Sequence, residues 1–281
     1  MTTEWFRLRA LTALRQRSRH RLYRFRFRSA PAGTLRVTLR PRWAPAAAGA
    51  TITLRPATSD RRIFEQVFLD DEYDLRALAR WPELDAAGNA EPAPLILDLG
   101  ANIGLASLAL HWQFPRARIL ALEPEPGNFA QLCHNVAGIA AITPLHAAVA
   151  PRDGWVRILN PTGPSAGFRT EPAAAETPAA IPARSIDSLL ADAPALVIKM
   201  DIEGAERDLF ADGATRWLAR TRLLIVEPHD WAFPGQALSQ PLLVALAARA
   251  GDVLVRGEHL LCFECRGNRG LETRGPRPAS Q

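Results

Sequence analysis

Lysine is almost missing from this sequence. Of 34 basic residues only Lys199 is a lysine, and arginine supplies the rest. Cysteine is scarce too, and three residues cannot build a disulfide framework. Cys262 and Cys265 form a C-x-x-C pair, but no second pair completes a zinc site. They lie in HLLCFECR, which reads as a strand, where odd spacing puts the thiols on opposite faces. Free thiols suit a reducing compartment, so the expected location is cytoplasmic. Apolar runs are short, and none reaches the ~20 residues that span a bilayer. The first residues lack the apolar core of a secretory signal. A transit peptide is disfavoured because the arginine bias runs through the whole sequence.

What is present suits a globular protein. A length of 281 residues predicts one large domain or a domain with a small addition. The net charge of +5 is local, with nine arginines between Arg7 and Arg28. Such an arm binds nucleic acid, acidic lipid or an acidic substrate, or is only a solvated face.

Residues 4–16 carry Trp5, Leu8 and Leu11 at helical spacing. RLYRFRFR, TLRVTLR and TITLRP then alternate apolar and polar residues with period two, predicting a small antiparallel sheet. SDRRIFEQVFL follows as a helix capped by Ser59 or Asp60. Beyond EPAP the pattern changes to short buried strands alternating with helices. The strands are LILDLG, ARILALEP, ITPLHAAVA, WVRIL, ALVIKMD and RLLIVEP, and DVLVRGEHLLCFECR reads as a hairpin turning at Gly257. Residues 160–183 read as a long loop or lid. The expected organisation is a helix and small sheet over 1–55 serving as a substrate cap, a core domain over 56–267, and a disordered tail over 268–281. Alternating strands and helices predict an α/β fold with a mostly parallel sheet covered on both faces. Ligands bind such sheets beyond the carboxyl ends of the strands.

Three strand ends, and a fourth that carries Glu123, hold the chemistry. DLGANIG spans Asp98 to Gly104, and Gly100 and Gly104 permit a tight turn. It is not G-x-G-x-x-G, so a nicotinamide enzyme is disfavoured. Glu123 stands about 20 residues on, where an acid binds ribose hydroxyls in nucleotide-binding α/β folds. An acid directly before the glycine turn repels a pyrophosphate and suits an ammonium or sulfonium. S-adenosylmethionine is a nucleoside that carries such a charge and no phosphate. The second strand end is VIKMDIEGAE. Asp201 and Glu203 read either as caps for the following helix or as active-site carboxylates. The third is VEPH, where Glu227 and His229, with Asp201, form an oxygen and imidazole set for a divalent cation. A metal is allowed but not favoured.

ILDLGANIGLASLAL, ILALEPEPGNFAQL, LHAAVAPRDGWVRI, SIDSLL, VIKMDIEGAERDLF and LLIVEPH occur in that order. Together they resemble the FkbM-type S-adenosylmethionine-dependent methyltransferases over roughly residues 52–265, and LRPATSDRRIFEQVFLDDEYD resembles that family's lead-in. The resemblance implies the Rossmann-like class I methyltransferase fold: a seven-stranded sheet, order 3-2-1-4-5-7-6, with strand 7 antiparallel. It implies that Asp98, Gly100, Asn102 and Gly104 line the methionine end of the cofactor and that Glu123 holds the ribose. The adenine lies beside Ala147 and Ala148, with backbone groups or Asp153 reaching its amine. Asp201 lies beside the Asp98 turn, where the methyl group points. Lys199, Asp201, Glu203, Glu227 and His229 are the candidate catalytic residues, with Asp201 and His229 the candidate bases. A compact lysine, holding a carboxylate or an oxyanion, explains why arginine is excluded at 199.

The leading expectation is O-methylation of a saccharide, glycolipid or natural-product small molecule. No Asn/Asp-Pro-Pro-aromatic motif follows the fourth strand, which weakens an amino-group or nucleobase target. The alternatives are an RNA methyltransferase stacking bases on Tyr23 and Phe25, and a non-catalytic cofactor-binding scaffold. Nucleic acid is the less favoured partner, and the basic N-terminus leaves peripheral membrane contact open.

Overall fold

Period-two alternation at the N-terminal side builds strands β1 (Tyr23–Ser29), β2 (Leu35–Pro41) and β3 (Ala50–Leu54). The computed structural model describes residues 22–159, 170–173, 177, 179–211, 214–248 and 251–263. The helix expected over residues 4–16, Cys265 and the C-terminal tail lie outside them. The three strands form an antiparallel sheet. Its inner face presents Tyr23, Phe27, Val37, Leu39, Ile52 and Leu54, all buried. Arg24, Arg26, Arg28, Arg36 and Arg40 fall on the outer, exposed face. Tyr23 and Phe25 pack edge-on against Phe68 and Phe64. Tyr23 is thus a core ring, and the partly buried Phe25 packs against the same core.

Phe64 and Phe68 belong to α1 (Asp60–Phe68), whose apolar residues recur at helical spacing. Its start differs from the expected cap. Ser59 makes no side-chain cap, and the buried Asp60 carboxylate turns to Arg55. Asp60 accepts from the Arg55 backbone N–H (2.8 Å) and from its guanidinium (2.8 and 3.0 Å). Arg55 also donates to Asn128 at 2.7 Å, tying this lead-in to the core domain.

After α2 (Trp81–Gly88) come β4 (Leu95–Leu99), α3 (Leu105–Gln113), β5 (Arg118–Leu122), α4 (Pro126–Asn135) and β6 (Ile142–Leu145). A turn from the Ala147 N–H to the Leu145 carbonyl, 2.9 Å, then breaks the strand expected from ITPLHAAVA. Its second half, β7 (Ala148–Val149), leaves the main sheet. It joins β8 (Gly154–Ile158), β9 (Thr170–Ala173) and β10 (Ile181–Arg184) in a four-stranded sheet, order β7-β10-β8-β9. The segment expected to be all loop therefore contributes two strands. Next come α5 (Ile186–Leu190), β11 (Ala195–Met200), α6 (Glu206–Ala211), α7 (Ala214–Leu218), β12 (Thr221–Val226) and α8 (Gln240–Ala247). The closing hairpin is β13 (Val253–Arg256) and β14 (His259–Phe263), turning at Gly257 with φ of 56°.

The main sheet has seven strands, β6-β5-β4-β11-β12-β14-β13, with β14 antiparallel to both neighbours. This is the class I methyltransferase topology, with the four-stranded sheet added after its third strand. Apolar clusters cover both faces, one containing Phe64, Phe68, Trp112 and Phe114, the other Phe210, Trp217 and Leu218. The order reverses between β4 and β11, so a crevice opens at their carboxyl ends. Among the described residues no helix is long and apolar enough to cross a membrane.

The Asp60 anchor has a measurable consequence. Asp60→Ala is expected to lower unfolding free energy by about 3 kcal/mol, because it deletes several charge-assisted bonds at a buried site. Arg61→Ala breaks only the exposed pair with Glu65 and is expected to cost less than about 0.5 kcal/mol. Urea unfolding of both variants measures the contrast, and equal effects would remove Asp60 from the anchoring role.

Candidate active site

Register places Lys199 of β11 directly beside Asp98 of β4. Both are buried, at 3% and 0% exposure. Lys199 Nζ lies 3.2 Å from Asp98 Oδ1 and donates to the Gly100 carbonyl at 2.7 Å. Ser107 Oγ, from the first turns of α3, donates to Asp98 Oδ2 at 2.5 Å. Asp201 is farther from the ammonium, at 3.7 Å. Burial opposes the charge on Lys199, but Asp98 and Asp201 outweigh it and hold the ammonium above its ordinary value. The lysine thus clamps the glycine turn to the neighbouring strand, with Asp98 rather than Asp201 as its principal carboxylate.

The turn leaves little room. Gly100 has φ of 77°, and a Cβ there would overlap the Asp201 carbonyl oxygen. Asn102 follows with φ of 50°. Its backbone N–H donates to Glu123 Oε2 at 2.9 Å, and the Glu125 N–H reaches Glu123 Oε1 at the same distance. Burial pushes the Glu123 carboxyl up to about 7 despite those two bonds.

The other two strand ends meet at His229. Its ring is 1% exposed, and Nδ1 sits 2.7 Å from Glu206 Oε1 on α6. Nε2 faces Asp201 Oδ1 at 3.5 Å, Glu203 Oε2 at 3.6 Å and Glu227 Oε1 at 3.7 Å. Burial works against the imidazolium, but the bonds to Asp201 and Glu206 outweigh it and push His229 up to about 11. Asp201 is held down at about 2: burial would raise it, while Lys199 and His229 lower it further. Burial pushes Glu203 up to about 7. Burial and then the Asp201 charge push Glu227 up to about 8.

A cavity of about 380 Å³ lies over these strand ends, within the size range of small-molecule sites. Lys199, Asp201, Glu203 and Glu227 line it, together with Gly100, Asn102, Glu123 and Ala148. Asp98 and Gly104 stand behind the turn and do not line it. His229 lies beneath its carboxylate neighbours. Asp153 is also elsewhere: its carboxylate accepts from the backbone and hydroxyl of Ser185 and the hydroxyl of Ser188, at the start of α5. It is committed there and does not line the cavity. None of residues 22–54 lines the cavity. The wall expected from the N-terminal sheet is formed instead by α1, through residues such as Arg62 and Gln66. Thr170 of β9 adds a residue from the expected lid.

Sequence reasoning missed a second cluster on this wall. Tyr73 Oη and His259 Nε2 are 2.9 Å apart, His259 Nδ1 is 3.2 Å from Glu72, and its Nε2 is 3.8 Å from Glu227. Tyr73 and His259 are 186 residues apart in sequence. No local motif joins them, and EYD in the lead-in is the one signal that pointed near.

The Methyltransferase FkbM domain matches residues 98–253, over half of the chain. The protein belongs to the FkbM methyltransferase family. Among its relatives, 2-O-methyltransferase NoeI of Sinorhizobium fredii (strain NBRC 101917 / NGR234) is 26% identical over 200 residues, covering 60% of this chain and 82% of NoeI. Methyltransferase sdnD of Sordaria araneosa is 37% identical over 75 residues, 27% of this chain, and the match spans only 24% of sdnD. The crystal structure of Methyltransferase FkbM from Methylobacillus flagellatus KT is 21% identical with a TM-score of 0.43, over 60% of this chain and 43% of that one. In this FkbM-family chain the matched stretch begins at Asp98 and contains Glu123, Lys199, Asp201 and His229.

If the Lys199 clamp carries the glycine turn, removing its charge strands Asp98 in the core. Lys199→Met is expected to cost about 3–5 kcal/mol of unfolding free energy. Adding Asp98→Asn should recover roughly half of that loss, because the uncompensated charge is gone. Denaturant unfolding of the single and double variants tests this, and an additive double variant would show that the two residues are not coupled.

Proposed function

We propose that this protein is an S-adenosylmethionine-dependent O-methyltransferase whose acceptor is a hydroxyl of a saccharide, glycolipid or natural-product small molecule. The observation that carries this reading is the convergence of Asp201, Glu203 and Glu227 on a cavity that Glu123 and Ala148 also line. NoeI, a relative named as a 2-O-methyltransferase, supports the choice of oxygen as acceptor atom.

The residues fit the cofactor. Glu123, fixed by two backbone N–H groups, presents a carboxylate to ribose hydroxyls. Ala147 and Ala148 give a flat apolar wall for adenine. The clamped Gly100–Asn102 turn and Asp201 bound the methionine end. The wall is rich in carboxylates, and its one lysine is engaged by Asp98 and the Gly100 carbonyl, so it suits a cation and opposes a pyrophosphate. When bound, S-adenosylmethionine supplies the electrophilic methyl group.

An acceptor hydroxyl must lose its proton as its oxygen attacks, and a positioned base contributes roughly 100- to 10,000-fold. Asp201 is too weak a base and is engaged with Lys199. His229 lies below the cavity with Nδ1 held by Glu206. Glu203 lines the cavity, and its backbone φ of 54° turns the chain at the strand end. Its carboxyl stands near neutrality, so it takes the proton. Tyr73, His259 and Glu72 line the same cavity, with His259 beside Glu227, and serve in this reading as the acceptor-side wall.

Calorimetry is expected to show binding of S-adenosylmethionine or its demethylated product and none of NAD, with Glu123→Ala weakening the former about tenfold or more. Tight NAD binding would overturn the assignment. Separately, Glu203→Gln is expected to lower kcat by at least about 100-fold with cofactor affinity retained. The assay incubates the protein with methyl-labelled cofactor and a panel of hydroxylated saccharides and small molecules. Cofactor binding with no labelled acceptor in wild-type protein would favour a scaffold, and label in RNA would reverse the acceptor class.

A further inference from the structure

The geometry points to a divalent cation site at the cavity floor, formed by Asp201, Glu227 and His229. This deepens the methyl-transfer reading and rests on it only for the cation's role, because binding itself is measured without cofactor or acceptor.

One ligand atom from each residue can be chosen so that all three lie within 4.8 Å of one another. His229 Nε2 is 3.5 Å from Asp201 Oδ1 and 3.7 Å from Glu227 Oε1. Ligands bound at about 2.0–2.6 Å in neighbouring coordination positions lie roughly 3–3.7 Å apart. The donors therefore stand at nearly the required spacing on adjacent strand ends, β11 and β12. Asp201 and Glu227 line the cavity, so the remaining coordination positions face the space an acceptor would occupy.

Two further features distinguish this cluster from ordinary surface acids. His229 is fully buried and donates from Nδ1 to Glu206, itself 1% exposed. A carboxylate on one ring nitrogen fixes the tautomer and aims the other nitrogen at a metal. Glu206 also has a buried oxygen, Oε2, with no hydrogen-bond partner among the described residues. The second feature is crowded acidity. Asp201, Glu203 and Glu227 each stand within 3.7 Å of His229 Nε2, and Lys199 is engaged by Asp98 and Gly100. A divalent ion would relieve the repulsion among these carboxylates. Two carboxylates and one imidazole with open positions suit Mn²⁺ or Mg²⁺.

In the proposed reaction the acceptor hydroxyl oxygen would fill an open position and become more acidic. Its O–H bond would break toward Glu203, which stays outside the three ligands, as the oxygen forms its bond to the methyl carbon and the cofactor's carbon–sulfur bond breaks, the electron pair leaving on sulfur as S-adenosylhomocysteine.

The test uses the full chain, stripped with a chelator and titrated with MnCl₂ alone, followed by electron paramagnetic resonance and calorimetry. We expect one Mn²⁺ per chain, with affinity falling at least about tenfold in Glu227→Gln. Glu83→Gln, a surface acid that pairs with Arg80 and does not line the cavity, should bind as wild type does. Circular dichroism confirms that each variant is folded, and Asp201→Asn serves if Glu227→Gln is not. Absence of Mn²⁺ binding, or binding indifferent to the Glu227 and Asp201 substitutions, overturns the site. Labelled product formed by chelator-stripped protein overturns the cation's role while leaving methyl transfer intact. Mn²⁺ binding without any cofactor binding would instead sink the methyl-transfer reading and keep the site.

Discussion

The pairing of Lys199 with Asp98 across β11 and β4 is the constraint from which the site is built. Two charges buried side by side in the middle of a sheet are costly unless each satisfies the other. Here the parallel register sets them opposite one another, and Ser107 and the Gly100 carbonyl take the remaining bonds. The result fixes the turn after β4 against the loop after β11. That contact is so close that only glycine fits at position 100. Arginine at 199 would add bulk to a site that is 3% exposed and would spread its donors over a planar fork. The restriction to a single lysine follows from this packing.

From that clamp the cavity inherits its polarity. Its lysine is engaged at the back of the turn, and carboxylates line the front. Glu123 binds the Asn102 and Glu125 backbone, Asp201 stays ionised beside Lys199, and Glu203 and Glu227 are lifted by burial. The acids thus divide into different roles because their surroundings differ, although all stand at strand ends of one sheet. His229 links the carboxylates after β11 and β12 with Glu206 on α6, and so joins three elements in one electrostatic unit.

The N-terminal sheet acts on the site at one remove. Its apolar face packs on α1, and α1 in turn supplies the cavity wall. The Arg55–Asp60–Asn128 connection holds that helix to the core domain. The arginines of β1 and β2 remain on the outer face, away from the acidic cavity.

Much was legible in the sequence because strand ends in a parallel sheet lie at one edge whatever their separation along the chain. Alternation and glycine turns were enough to predict a mostly parallel sheet, the closing hairpin and the strand-end residues Asp201, Glu203, Glu227 and His229, whereas the seven-stranded order came from the resemblance to the FkbM-type methyltransferases. Period two determined the N-terminal sheet and buried Tyr23 and Phe27. Tertiary structure decided what no local pattern encodes. Register chose Asp98 over Asp201 as the main partner of Lys199, and thereby placed Asp98 behind the cavity. A single backbone turn at Ala147 split a strand and began a second sheet. Asp60 and Asp153, which local rules left to a cap or a ligand, were claimed by Arg55 and by Ser185. Tyr73 and His259 met because the lead-in and the terminal hairpin pack at the same sheet edge. Periodicity reports which face a residue takes, whereas a partner is chosen by distances that only the folded chain sets.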